Sequence, residues 1–150
     1  VEEEGSEPIG FYNLGVAFLN AARAAASAEN VPHFDEPVQF LVAHGLELIF
    51  KADQRRTQSL ETVRKKFGHD LLKLHAGLSE DFIQHFMLDS EFEMVVMGLS
   101  QGHSGPDWRN RYLQTGFRSE LPAERLIAAV RAFTVEDRGW LISHFARQGH

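Results

Sequence analysis

Apolar side chains recur along this chain at three- and four-residue spacing and nowhere alternate one by one, so the pattern predicts helices and no strands. A first helix is expected over about 9–29, with Phe11, Leu14, Phe18, Ala21, Ala22 and Ala25 along its buried face. Pro32 interrupts the chain, and Asp35 then caps a second helix over about 36–55 with Pro37 in its first turn. That stretch, VQFLVAHGLELIFKADQR, is apolar round most of its circumference, as in a central, buried helix. Ser59 to Lys66 reads as a short basic segment stopped by Gly68. Asp70 caps a third helix through Leu71, Leu74 and Leu78, with a continuation from Ser79 through Phe82 and Phe86. Ser90 with Glu93 forms a capping box for a fourth helix to about Leu99. The stretch from Gly102 to Gly116 is the longest loop candidate. Pro122 opens a late helix through Leu126, Val130 and Phe133, and a short helix around Trp140–Phe145 ends the series. The expected fold is all-α, an up-and-down bundle of four to five main helices.

At 150 residues the chain has the length of one domain, expected over 9–150 behind a flexible acidic lead-in at 1–8. That lead-in has neither a basic start nor an apolar run, unlike a signal peptide. No stretch approaches the roughly 20 apolar residues of a membrane span. The absence of cysteine excludes disulfides, cysteine-ligated metals and thiol nucleophiles, and fits a cytoplasmic location. The net charge of −6 argues against a generally basic nucleic-acid binder, but its distribution is uneven. Residues 51–75 carry seven basic and three acidic side chains, whereas residues 76–100 carry five acidic and none basic. The basic block is the natural place for a phosphate. Solvated basic residues balancing acidic neighbours are the competing reading.

Within the second helix, His44, Glu47, Lys51 and Arg55 fall in a sector of about 80°. The plain reading is a solvent-facing strip closed by a Glu47–Lys51 pair; the functional one is a cleft presenting cations to a phosphate. The turn Lys65-Lys66-Phe67-Gly68-His69-Asp70 is the sharpest local feature. Two lysines, an imidazole and a helix start are suited to an anion, while His69 bound to backbone would merely hold the turn. His103, Trp108, Arg109, Arg111 and Tyr112 mix cations with aromatics that either stack on bases or anchor a loop. Met87, Met94 and Met97 read as core filler or helix interface. A metal enzyme built on His44, Glu47 and His75 or His85 has no supporting ligand motif, and neither a Gly-rich phosphate loop nor a Gly-x-Ser-x-Gly elbow occurs.

The run from Phe40 to Ala52 (FLVAHGLELIFKA), then Gly68-His69-Asp70-Leu71 with Lys73-Leu74, then Arg111-Tyr112 before the Pro122-led helix, resembles the HEPN-like proteins, named for nucleotide binding in higher eukaryotes and prokaryotes. The resemblance spans about residues 11–135. It implies an up-and-down helical bundle, frequently a homodimer, with Glu47, Lys51, His69, Asp70, Arg111 and Tyr112 at motif positions. Many such proteins are metal-independent ribonucleases that use an Arg, four to six residues, then a His. Arg64…His69 and Arg138…His144 both have that spacing. The resemblance therefore implies RNA or nucleotide binding by Lys51, Lys65, Lys66, Arg111 and Tyr112, with catalysis by His69 and Arg64 or His144 and Arg138. His44, Glu47 and Asp70 would support that site, and it needs no cofactor and no metal. The alternative from another class is a non-catalytic module that binds a toxin, defence or nucleotidyltransferase component, marked by an exposed apolar patch.

Overall fold

Helix α1 (Pro8–Ser27) lies against helix α2 (Asp35–Gln54), and their crossing is set by two glycines. A Cβ on Gly15 would stand 2.7 Å from the carbonyl oxygen of Gly45, and one on Gly45 would stand 2.9 Å from that of Gly15. The two backbones thus touch where neither has a side chain, a closeness that any larger residue forbids. The structure, a computed structural model, describes residues 7–28, 35–103 and 121–146. Glu7 is the N-cap of α1 and Pro8 is buried in its first turn; the remainder of the expected lead-in falls outside the described residues.

The described residues form six further helices: α3 (Leu60–Phe67), α4 (Leu71–Ala76), α5 (Glu80–His85), α6 (Ser90–His103), α7 (Ala123–Ala129) and α8 (Arg138–Phe145). An all-α bundle is what the hydrophobic spacing predicts, and no strand occurs among the described residues. The caps expected at Asp70 and Ser79 form, and Ser59 adds a third. Ser59, Asp70 and Ser79 each accept a hydrogen bond from the backbone N–H three residues on, capping α3, α4 and α5. Gly68 ends α3 at φ 53°, a left-handed conformation open to glycine.

Three expectations are corrected. The buried face of α1 consists of Tyr12, Gly15, Val16, Leu19 and Ala22, whereas Leu14 and Ala21 are exposed. The helix is rotated by about one residue from the reading based on Phe11, Leu14 and Phe18, because Gly15 must face Gly45. Asp89 rather than Ser90 caps α6, accepting from the Phe92 N–H at 3.0 Å, and Ser90 is the first helical residue. Met87, Met94 and Met97 are all exposed, which removes them from the core.

The core runs from the α1–α2 contact (Leu19, Leu46, Ile49) through Phe50, Leu71 and Leu74 to an aromatic group of Tyr12, Phe82, Phe86 and Phe133. Tyr12 ties the two ends of the chain, donating its hydroxyl proton to the Thr134 carbonyl at 2.7 Å. Burial pushes that hydroxyl well above the ordinary tyrosine pKa. Arg23 crosses from α1 to donate to the carbonyls of Val130 and Phe133, the first of which ends α7. No helix among the described residues is long and apolar enough to cross a membrane.

Because the α1–α2 crossing leaves no room for a methyl group, Gly45→Ala is expected to lower stability by about 1–3 kcal/mol. Gly139, exposed with nothing near it, supplies the control: Gly139→Ala should leave the denaturation midpoint unchanged or slightly raised. Urea denaturation of the two variants checks this.

Candidate functional site

Two clusters of polar side chains form around α2, and both begin with a carboxylate the core has buried. The first is Glu47. Its Oε2 receives the Lys51 ammonium at 2.7 Å and the His69 Nδ1 at 2.8 Å. A carboxylate beside an ammonium only accepts, so the imidazole proton lies on Nδ1 and the ring is oriented from beneath. The imidazole itself is 79% exposed, whereas Glu47 and Lys51 are buried. The stripe on α2 is therefore not a solvent-facing strip. Glu47, Lys51 and Arg55 are covered, and Arg55 donates to the Gln58 carbonyl at 2.7 Å. His44 stands half-buried against the rings of Phe18 and Phe40.

Around His69 the last turn of α3 presents Arg64, Lys65 and Lys66 to solvent, with Lys65 paired to Glu61 at 3.1 Å. The turn is built as the sequence suggests: Gly68 reverses the chain and Asp70 Oδ1 accepts from the Lys73 N–H at 3.1 Å. Helix α4 is only six residues long, and its first turn already holds the Asp70 carboxylate, so its dipole adds little for an incoming anion. The cationic side chains and the oriented imidazole are what this surface offers.

The second cluster centres on Asp53, buried about one and two-thirds turns further along α2. Oδ2 accepts from the Ser79 backbone N–H at 2.7 Å; Oδ1 accepts from the Ser79 hydroxyl at 3.0 Å, from His144 Nε2 at 2.8 Å and, at 3.4 Å, from Arg56 Nη1. Arg56 Nε also donates to the His144 carbonyl at 2.9 Å. One carboxylate thereby joins α2, the cap of α5 and the last turn of α8. His144 is 4% exposed and stacks on Trp140, which also stacks on His85 with ring centroids 3.6 Å apart. A groove of about 490 Å³ opens beside this stack, lined by Arg56, Gln84, His85, Trp140, Ser143 and His144.

The structure thus unites Glu47, Lys51 and His69, with Arg64, Lys65 and Lys66 on the preceding last turn of α3 and Asp70 capping α4. It sets Arg138 apart from His144: Arg138 is exposed at the start of α8, and six residues at 100° each put it about 120° round that helix from His144. Arg56 takes the place beside His144. Arg111 and Tyr112, with Trp108 and Arg109, lie outside the described residues. Sequence reading missed Asp53, Arg56 and the His85–Trp140–His144 stack. The one available signal for Asp53 was a carboxylate within a helix otherwise read as buried, a position that requires partners.

Among the described residues no three His, Asp or Glu side chains are placed to hold a metal ion. His75 is instead half-buried against the rings of Phe50 and Phe92, and desolvation holds its pKa below the ordinary histidine value, with nearby Glu93 opposing the shift. No family model matches the chain, and no curated protein and no solved structure matches it.

Two outcomes follow from these placements. Asp53→Ala leaves the Ser79 N–H, His144 and Arg56 without their shared acceptor and is expected to cost about 3–5 kcal/mol in chemical denaturation. His75 takes up a proton less readily folded than unfolded, so the unfolded state binds more protons as pH falls. Its part of the stability is present above the ordinary value of about 6.5 and declines below it, until the folded ring also protonates. Urea midpoints compared between pH 7.5 and 5.5, a window of about one unit either side of that value, should fall for the parent and fall less steeply for His75→Gln.

Proposed function

We propose that this chain is a HEPN-like, cytoplasmic RNA-binding protein that acts as a homodimer and cleaves RNA without metal. The reading rests on one observation: a histidine held through Nδ1 by a buried carboxylate at 2.8 Å, exposed on a turn beside Arg64, Lys65 and Lys66. Cations on an exposed turn suit a sequence-independent grip on backbone phosphates. A ring whose proton is committed to Nδ1 presents its Nε2 lone pair outward in the neutral form, the form that accepts a proton. In this reading His69 takes the 2′-hydroxyl proton as that oxygen attacks phosphorus. The P–O5′ bond breaks as the 5′-oxygen takes a proton from solvent water, His69 returns the proton it took to solvent, and a 2′,3′-cyclic phosphate remains. Arg64 and Lys66 offset the charge that builds on the phosphoryl oxygens. Glu47 and Lys51 position His69 from below and touch no substrate. Bound RNA would extend over Lys65 on this surface.

The competing reading, a non-catalytic interaction module, is favoured by a different feature, the exposed methionines near α6. The two readings separate in one experiment. A mixed RNA pool incubated with the protein in chelator should be cleaved, and His69→Ala should slow cleavage by about 10²–10⁴-fold. Lys65→Glu with Lys66→Glu should weaken binding and flatten its dependence on the logarithm of salt concentration by about 1.4, since each single-strand phosphate left without its cation removes about 0.7. An intact pool, with binding indifferent to both charge reversals, would overturn the proposal in favour of the interaction module. His144→Ala serves as a comparison once circular dichroism confirms that it folds.

A further inference from the structure

Helix α5 ends in a Schellman turn. The Met87 N–H donates to the Gln84 carbonyl at 3.2 Å and the Leu88 N–H to the Ile83 carbonyl at 3.0 Å, leaving Met87 at φ 54°. That position belongs to glycine in most helices, since a Cβ there crowds the backbone. Here it carries a long apolar side chain that is 82% exposed, so the fold bears a backbone strain and gains no burial from it. The other two methionines of the chain follow on α6, Met94 and Met97, and both are exposed as well. Methionine is enriched at protein interfaces because its flexible thioether adapts to the facing surface.

Beside Met87 lies a groove of about 400 Å³ between α6 and α7. Its walls include Phe92, Val95 and the small side chains of Ala128, Ala129 and Ala132. One rim is acidic, with Asp89 and Glu91, and the other is basic, with Arg125 and Arg131. Among the described residues no ion pair joins the two rims. A knob, a hole walled in part by alanine and two oppositely charged rims thus sit on one surface.

We infer that this face is where two copies of the chain meet about a two-fold axis, Met87 of each copy entering the alanine-lined groove of the other and each acidic rim facing the partner copy's basic rim. A two-fold contact requires one patch to be complementary to itself, and a knob beside a matching hole between opposite charges meets that requirement. A partner of a single charge would leave one rim facing like charge, which disfavours it. The inference rests on the pairing of copies proposed above and is independent of the RNA surface around His69.

Sedimentation velocity on the full chain from about 1 to about 100 µM, the range in which a modest interface associates, reads the outcome directly. The parent is expected to pass from monomer to dimer. Met87→Gly should raise the dimer Kd by about tenfold or more, although glycine suits the turn better and should raise the melting midpoint of the dilute monomer by about 2–4 °C. That opposite pair of effects excludes misfolding as the cause. Glu91→Arg and Arg131→Glu should each weaken the dimer, and the two together should restore it. A monomer at every concentration would overturn the pairing itself. A dimer indifferent to all four variants would show that copies meet elsewhere and overturn this face, leaving the RNA reading untouched in both cases.

Discussion

Helix α2 is buried on nearly every side along its second half, yet it carries Glu47, Lys51 and Asp53 there, with Arg55 buried just past its end. An unpaired charge in such a place costs several kcal/mol, so each of these side chains must find a partner before the fold can close. Two of those demands reach well beyond α2. Glu47 recruits His69 and with it the α3–α4 turn. Asp53 recruits the cap of α5 and the last turn of α8, elements separated from it by 26 and 91 residues. The buried polar groups of one helix therefore place much of what surrounds it, and they do so by geometry that apolar contact alone does not specify.

This division of labour also separates support from function. Lys51 and Glu47 are buried and engage each other, while the ring they hold from below is open to solvent. His144 is the reverse case, a ring enclosed by Trp140 and bound to Asp53, whose bonds join three elements. Both histidines are oriented by carboxylates, but only the first stands on a surface of exposed cations. Orientation by a buried acid is thus not by itself a sign of chemistry; exposure and the charge of the neighbours decide which imidazole can meet a polyanion.

Strain has a similar place in the molecule. The left-handed turn at Gly68 costs little because glycine occupies it, and it serves to present His69. The left-handed turn at Met87 is occupied by a residue that resists it. The two turns have the same sign of φ and the opposite meaning: the first is a solution to a local problem of chain reversal, the second a cost borne for an exposed side chain.

The helical class, the buried character of α2, the caps at Asp70 and Ser79 and the turn at Gly68 were legible in the sequence, because each depends on residues within one or two turns of each other. The same holds for the basic turn from Lys65 to Asp70. The rotation of α1 was not legible, since Gly15 gains its meaning only from Gly45 on another helix. Nor was the burial of the α2 stripe: a polar strip on a helix reads alike whether water or a turn covers it. Asp53 with Arg56, His85, and Trp140 with His144 come from three distant stretches of the chain, and nothing local marks those stretches as neighbours. Short-range hydrogen bonding and helical periodicity wrote the elements into the sequence; which charge meets which histidine is a long-range contact, and only the tertiary structure decided it.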